Sequence, residues 1–207
     1  MRILIADDHQ LLRKGLAFLV KEEYPGAELS EAANESEVYG HLHQHNYDMM
    51  LMDLNMPNTD SMALMQQSLT LLPNLKILII SGNPERLYAI RYLKAGAAGY
   101  VQKSETEATI KKAIRLVMSG STFLSVAMID VMGLYLKSGS TVNPFDKLSK
   151  REFEVALHCI KGLTTNEISH TMTIQPPTVS IYKSRIFYKL SIKNIHDLVA
   201  MAKEYEM

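Results

Sequence analysis

The chain has 207 residues, enough for one large domain or two small ones, and its hydrophobic share of 47% is normal for a globular protein. No apolar run approaches the roughly 20 residues of a membrane span. The single cysteine, Cys159, excludes an internal disulfide, and the start is too quickly acidic for a signal peptide, so a reducing cytoplasm is expected. The formal net charge of +0 hides a division: about 13 Lys+Arg against about 16 Asp+Glu up to residue 146, and about 9 against about 6 after it. The mildly basic C-terminal part is the one suited to nucleic acid.

Up to about residue 120, strand-like and helix-like segments alternate. The apolar run Ile3–Ala6 predicts a first strand, and Leu11, Leu12, Leu16, Leu19 and Val20 predict a helix over His9–Tyr24, ended by Pro25-Gly26. A second strand is expected over Glu28–Ala33, a helix over Glu35–His45 and a third strand over Met49–Met52. A helix over Ser61–Leu72 stops at Pro73-Asn74, and Lys76–Ser81 reads as the fourth strand. Pro84 opens a helix to Ala95 at a position that tolerates proline. Gly99–Gln102 is the fifth strand, and Glu105–Met118 is an amphipathic helix. Such alternation implies a parallel sheet covered on both faces.

Val126–Lys137 reads as one apolar helix, and Ser138–Pro144 as a flexible linker. From Leu148 the pattern is helical only. Ser149 with Glu152 forms a capping box for a helix that Gly162 ends. Thr165 is expected to cap Asn166–Met172, Pro177 to start a helix running to Leu190, and Asn194–Tyr205 to form the last. A short helix, tight turn and longer helix describe a helix-turn-helix. Val179, Ile186 and Leu190 are spaced to face a core, which turns Ser180, Lys183 and Ser184 outward.

The chemistry gathers at strand ends. Asp53 follows the third strand, Asp7-Asp8 the first and Lys103 the fifth. In an open parallel sheet these carboxyl ends share one edge. Three clustered acids repel unless a cation joins them, and Mg2+ fits because it takes hard oxygen ligands and keeps open positions. Lys103 adds positive charge for a phosphoryl oxygen. Asp53 thereby becomes a candidate nucleophile for an aspartyl phosphate. By contrast, His41 and His45 lack a third ligand and read as polar surface, Cys159 as inert core, and the 13 methionines as core filler.

The motifs Asp7-Asp8-His9, Asp53-Leu54-Asn55-Met56-Pro57, Ser81, Lys94–Tyr100 and Lys103 stand in the first part. Leu148–Glu152, Asn166–Ser169 and Thr178-Val179-Ser180 stand in the second. In order and spacing the chain resembles two-component response regulators of the NarL/FixJ type, and the resemblance covers nearly its whole length. It implies a doubly wound α/β domain, a five-stranded flavodoxin-like receiver over 1–120, then a linker with one helix over 121–146. An all-α LuxR-type helix-turn-helix domain over 147–207 completes it. It implies Asp53 as phosphoacceptor, with Asp8, Asp53 and the backbone carbonyl of Asn55 on Mg2+ and Asp7 reaching it through water. Ser81 would bond the phosphoryl group, Lys103 would pair with it, and Tyr100 would rotate inward as Ser81 moves. A sensor histidine kinase, promoter DNA and a phosphorylation-favoured homodimer are the implied partners, with no membrane. The candidate dimer surfaces are Glu105–Met118 and Asn194–Tyr205.

The chain departs from that pattern in places. Ser61 stands where glycine is common, Ser104 where proline often follows the lysine, and Gly82 where Ala or Met is usual. Thr178-Val179-Ser180-Ile181-Tyr182 replaces the frequent Thr-Val-Lys-x-His. The helix Pro177–Leu190 is expected in the major groove, with Thr178, Ser180, Ile181, Tyr182, Lys183, Ser184, Arg185 and Lys189 as candidate contacts. Two other functions compete. An aspartyl-phosphate phosphotransferase or phosphatase would need a second acid near the nucleophile and a cap, but Asn55 holds the position two after Asp53 and no cap-sized insertion exists. A protein-interaction module without DNA binding would not need the basic residues of Lys183–Lys189.

Overall fold

The computed structural model describes residues 1–126, 128–129 and 144–205. The chain divides into two compact units, Met1–Asp130 and Val131–Met207. Most of the helix expected over Val126–Lys137, and the linker before Pro144, lie outside the described residues.

The first unit is built on five strands: β1 Arg2–Ala6, β2 Glu28–Ala32, β3 Met49–Met52, β4 Lys76–Ser81 and β5 Gly99–Gln102. They pair in the order β2-β1-β3-β4-β5, all parallel. The expected five-stranded parallel sheet is therefore present. Between the strands run α1 Gln10–Glu23, α2 Glu35–Gln44, α3 Ser61–Leu71 and α4 Glu85–Lys94, and α5 Glu107–Met118 follows β5. Alternation along the strands divides the core. Ile3, Ile5, Met49, Leu51, Leu78, Ile80 and Val101 pack with Leu16, Leu19 and Val20 of α1 and Ile110, Ala113, Ile114 and Val117 of α5. Their neighbours Leu4, Ala6, Met50, Met52, Ile77, Ile79 and Tyr100 are equally buried and take the opposite face. Because β3 is covered on both faces, its sequence is an unbroken apolar run rather than an alternating one.

The turn from α4 into β5 demands glycine twice. Gly96 has φ +110°, and a Cβ there would stand 2.8 Å from Leu69 Cδ1. At Gly99 a Cβ would meet Leu78 and Phe123, the latter bridging to Gly99 beside the sheet edge. Two element starts differ from expectation. Helix α5 begins at Glu107, not Glu105, because Thr106 caps it by accepting from the Thr109 N–H. Pro84 is the extended cap of α4 (ψ 127°) rather than its first helical residue.

In the second unit a single 3-10 turn, Pro144–Lys147, precedes α6 Lys150–Ile160, α7 Thr165–Met172, α8 Pro176–Leu190 and α9 Ile195–Glu204. Phe145, Phe153, Ala156, Ile168, Val179, Ile186, Leu190 and Leu198 form its interior. The Ser149–Glu152 capping box is present. A second box, Thr164 with Glu167, caps α7, so the cap is Thr164 and not Thr165. Helix α8 starts one residue earlier than expected, with Pro176 and Pro177 both in a first turn that needs no amide donor from them.

Glu152 ties these helices together. Its Oε2 accepts from the Ser149 N–H at 2.7 Å and from Lys189 Nζ of α8 at 2.6 Å. Burial would raise this carboxyl's pKa; the Lys189 bond and the Ser149 hydrogen bonds outweigh it and hold it below the usual carboxylate range. Stability from a depressed carboxyl is present above its unfolded pKa and lost as pH falls through the folded one. Glu152→Gln should thus destabilise the chain by about 1–3 kcal/mol at pH 7. In urea melts between pH 7 and pH 3 the gap to wild type should narrow as pH falls through the carboxylate range. A gap constant with pH would mean that the charge contributes nothing.

Candidate functional site

The sheet order places the reversal of winding between β1 and β3, where open α/β sheets form a crevice at the strands' carboxyl ends. Asp7 and Asp53 stand at that point. Each keeps its backbone in the ladder one step past its strand: the Asp53 N–H donates to Ala6 O at 2.8 Å, and the Asp7 N–H to Ala32 O at 3.1 Å. The Lys103 N–H likewise donates to Ser81 O at 2.8 Å. Arg13 of α1 grips the Asp7 carbonyl at 2.6 Å and Glu31 at 3.1 Å, which fixes the loop carrying Asp7-Asp8-His9.

These side chains meet. Asp7 and Asp53 are each 1% exposed, and Lys103 Nζ lies 2.7 Å from Asp7 Oδ2 and 3.0 Å from Asp53 Oδ2. The other Asp53 oxygen, Oδ1, accepts from the Leu54 N–H at 2.7 Å. Asp8 is half-buried beside them, 2.9 Å from His9 Nδ1. Burial raises the pKa of the Asp53 carboxyl, with the Asp7 charge adding to it and Lys103 opposing. Burial would lower that of Lys103, but Asp7 and Asp53 together lift it above the usual ammonium value.

Three carboxylates face one ammonium. Asp7 Oδ2 and Asp53 Oδ2 share the one Lys103 ammonium, and the buried Asp8 Oδ1 has only the His9 imidazole beside it. One atom from each of Asp7, Asp8, His9 and Asp53 lies within 4.8 Å of the others. Hard carboxylate oxygens whose negative charge exceeds that of the one lysine suit a metal ion. His9 is a possible ligand that sequence reasoning missed, although it completes the Asp7-Asp8-His9 motif.

Ser81 and Tyr100 sit beside this cluster in a network whose centre is Asn83, a residue not singled out from the sequence. The Asn83 N–H donates to Ser81 Oγ at 3.2 Å, and its carbonyl accepts from the Tyr100 hydroxyl at 2.9 Å. Its side chain exchanges hydrogen bonds with that of Asn55 at 3.1 and 3.5 Å. The Tyr100 ring is fully buried, in an inward position, and burial pushes its phenol far above the usual value. Ser61 is buried and donates to Leu54 O at 2.5 Å, pinning the loop after Asp53 where a glycine could not. The Lys103–Ser104 peptide is trans.

In the second unit, α7 and α8 form the helix-turn-helix, with Thr173 at φ 53° in the turn. Val179, Ile186 and Leu190 are buried as expected. Ser180, Ile181, Ser184 and Arg185 are exposed, and Thr178 and Tyr182 partly so. Tyr188, absent from the expected contacts, is 87% exposed on the same stripe. Lys183 bonds Thr165 Oγ1 at 2.8 Å. The Lys189 ammonium is paired with Glu152 at 2.6 Å, and its side chain is 37% exposed.

A parallel sheet with buried acids at its switch point, followed by a helix-turn-helix unit, is the architecture of a two-domain signalling regulator. The family model "response regulator receiver domain" matches residues 3–115, and "bacterial regulatory proteins, luxR family" matches 146–202. The chain is 31% identical to the response regulator GacA of Pseudomonas viridiflava, over 100% of this chain and 97% of that one. It is 31% identical to the oxygen regulatory protein NreC of Staphylococcus carnosus, over 98% and 96%. Among solved structures, RcsB of Salmonella enterica serovar Typhimurium, bound to promoter rprA with phosphomimetic BeF3-, aligns at a TM-score of 0.64, covering 98% of each chain at 22% identity. The chain belongs to the response regulators that join a receiver domain to a LuxR-type DNA-binding domain.

Lys103 is the sole described cation against Asp7 and Asp53, so Lys103→Met should leave two buried carboxylates facing each other. Without added metal, destabilisation of about 2–4 kcal/mol is expected at pH 7. A carboxyl whose folded pKa is raised favours the folded state once protonated, so the loss should shrink toward pH 5. Denaturant titrations at both pH values check this; an equal loss at both would contradict the charge argument.

Proposed function

We propose that the chain is a transcriptional regulator switched by phosphorylation of Asp53. The convergence of Asp7, Asp8, Asp53 and Lys103 on one sheet edge, in a chain that also carries a helix-turn-helix, supports this reading. The nucleophile is the Asp53 carboxylate, of which Oδ1 accepts from the Leu54 N–H and Oδ2 pairs with Lys103. Its oxygen would form an O–P bond as the P–N bond of a sensor kinase's phosphohistidine breaks, with the imidazole leaving. Lys103 would stay paired with a phosphoryl oxygen. Mg2+ fits this set of hard oxygens: Asp8, Asp53 and the Asn55 carbonyl would hold it, with Asp7 reaching it through water, and when bound it would supply positive charge against the phosphoryl oxygens. Ser81 can keep accepting from the Asn83 N–H while its own O–H turns from Tyr100 to a phosphoryl oxygen. That exchange links the site to the loop after β4.

The domains are taken as a receiver over 1–120, a linker over 121–146 and a DNA-binding domain over 147–207. The receiver's own phosphorylation and dephosphorylation would be its only chemistry. No described helix is long and apolar enough to cross a membrane, and a cytoplasmic regulator is the simplest reading. One RcsB structure is of two dimers on two parallel DNAs; by that likeness, the phosphorylated chain is taken to pair on promoter DNA.

The test of the first half is labelling by a small phosphodonor. Wild type should be labelled only with Mg2+, and Asp53→Asn, which keeps size and removes the nucleophile, not at all. Full labelling of that variant would sink the assignment.

The second half concerns α8. The exposed stripe of Ile181, Ser184 and Arg185, with Ser180 and Thr178 near the helix start, suits base edges and phosphates. Arg185→Ala should weaken binding to all sequences and lower the salt slope by about one. Lys183→Ala should do the same less strongly, since that ammonium is shared with Thr165. Ile181→Ala should instead relax preference for an operator over random DNA, by about 1 kcal/mol. Binding of these variants to both DNAs across a salt series decides it. Unaltered affinity, slope and preference in all three would mean that α8 does not read DNA.

A further inference from the structure

His9 lies at the edge of the acidic site and is not needed by the reading above. Its main chain is locked: the His9 N–H donates to Asp7 Oδ1 at 2.8 Å, and the residue caps α1 in an extended conformation. This folds the imidazole back over the acids. Its Nδ1 stands 2.9 Å from Asp8 Oδ1 and 3.4 Å from Asp7 Oδ1, although the ring is 68% exposed.

Those spacings are close to the ones a coordination shell needs. Ligand atoms about 2.1 Å from an octahedral ion lie about 3 Å apart along each edge and about 4.2 Å apart across it. The 2.9 Å contact of Nδ1 with Asp8 Oδ1 has the length of an edge, and one atom from each of the four residues lies within 4.8 Å of the rest, so the cluster would have to contract by about half an ångström around an ion. Asp7 and Asp53 are each 1% exposed, and their Oδ2 atoms share a single lysine ammonium, which leaves the acids with more negative charge than Lys103 offsets.

We propose that His9 Nδ1 is a fourth ligand and makes this a mixed nitrogen–oxygen site that takes first-row transition dications, Mn2+ and Ni2+ among them, more tightly than Mg2+. The inference rests on the reading that Asp7, Asp8 and Asp53 hold a divalent cation. Imidazole suits transition ions, whose affinity for a given site rises from Mn2+ to Ni2+. Mg2+ gains little from a nitrogen, because it prefers oxygen and gives up water reluctantly. His9 therefore sets which metal occupies the site rather than whether one does.

The experiment uses the full chain, with isothermal titrations of Mg2+, Mn2+ and Ni2+ on wild type, His9→Ala and Asp8→Asn, and spin-echo spectra of bound Mn2+. Wild type should bind Ni2+ at least tenfold more tightly than His9→Ala does, while Mg2+ affinity changes less than twofold. The Mn2+ spectrum should show imidazole nitrogen coupling that His9→Ala removes. Bound Mn2+ that competes with Mg2+ but shows no nitrogen coupling would overturn the role of His9, as would equal losses of Ni2+ and Mg2+ in His9→Ala. Binding unaltered by Asp8→Asn, or no binding of any of the three ions, would instead overturn the acidic site itself, and the inference with it.

Discussion

The contact on which the receiver depends is the double ion pair of Lys103 with Asp7 and Asp53. Two carboxylates buried to 1% exposure cannot both stay ionised without a cation beside them. The cation arrives from β5, at the far edge of the sheet, so the acids are compensated only when β5 is docked in register beside β4. That docking rests on the backbone bond from Lys103 to Ser81 and on the glycine turn at Gly96 and Gly99, where a larger residue would meet Leu69, Leu78 or Phe123. Sheet order, turn chemistry and charge therefore act as one constraint. The lysine offsets only part of the charge: three acids stand against one ammonium, so an added positive charge at this edge is electrostatically favourable.

How a change at Asp53 could be felt elsewhere is visible in the Asn83 network. Ser81 ends β4, Tyr100 lies in β5, and Asn55 is two residues beyond Asp53; all three bond to Asn83. A two-state element needs partners that can be exchanged. The Ser81 hydroxyl is such a partner, because it is shared between Asn83, Tyr100 and whatever occupies the site. The buried phenol of Tyr100 has a strong reason to keep its hydroxyl bonded, since an unpaired buried hydroxyl is costly. Ser81 and Tyr100 are thus joined through Asn83 to the loop entering α4.

What could be read from the sequence follows from what is local. Strands β3, β4 and β5 coincide with Met49–Met52, Lys76–Ser81 and Gly99–Gln102 because short apolar runs between breakers have no other way to be buried. The strand order put Asp7 and Asp53 together, as their place after apolar runs implied, and Lys103 joined them. The errors fell where two neighbours were chemically equivalent. Thr164 and Thr165 are both able to cap, and Glu167 three residues on decides for Thr164. Pro176 and Pro177 both fit a first helical turn. Asn83 and His9 were missed for another reason: their roles depend on how a loop folds back, which no periodicity reports. The Lys189–Glu152 pair, 37 residues apart, was hidden in the same way.

That pair shows the second unit using the same physics for a different end. Glu152 serves the first turn of α6 as a cap, and the bond to Lys189 makes it hold the C-terminal turn of α8 as well. A lysine there also meets the negative end of the helix dipole. The cation nearest the C-terminal end of α8 thus ties that helix to α6, while Arg185 is exposed and Lys183 shared with Thr165. Orientation matters because base contacts are won within a few tenths of an ångström, whereas phosphate contacts tolerate more. Polar residues on the exposed stripe are correspondingly modest: Ser180 and Ser184 donate their hydroxyls to carbonyls one turn back and keep lone pairs outward as acceptors. An outward face of acceptors, one isoleucine and a tyrosine is poor in guanine-reading donors apart from Arg185. If α8 lies against DNA, such a face would draw sequence preference from Arg185, from methyl contact, from donors presented by adenine or cytosine, and from the shape of the duplex.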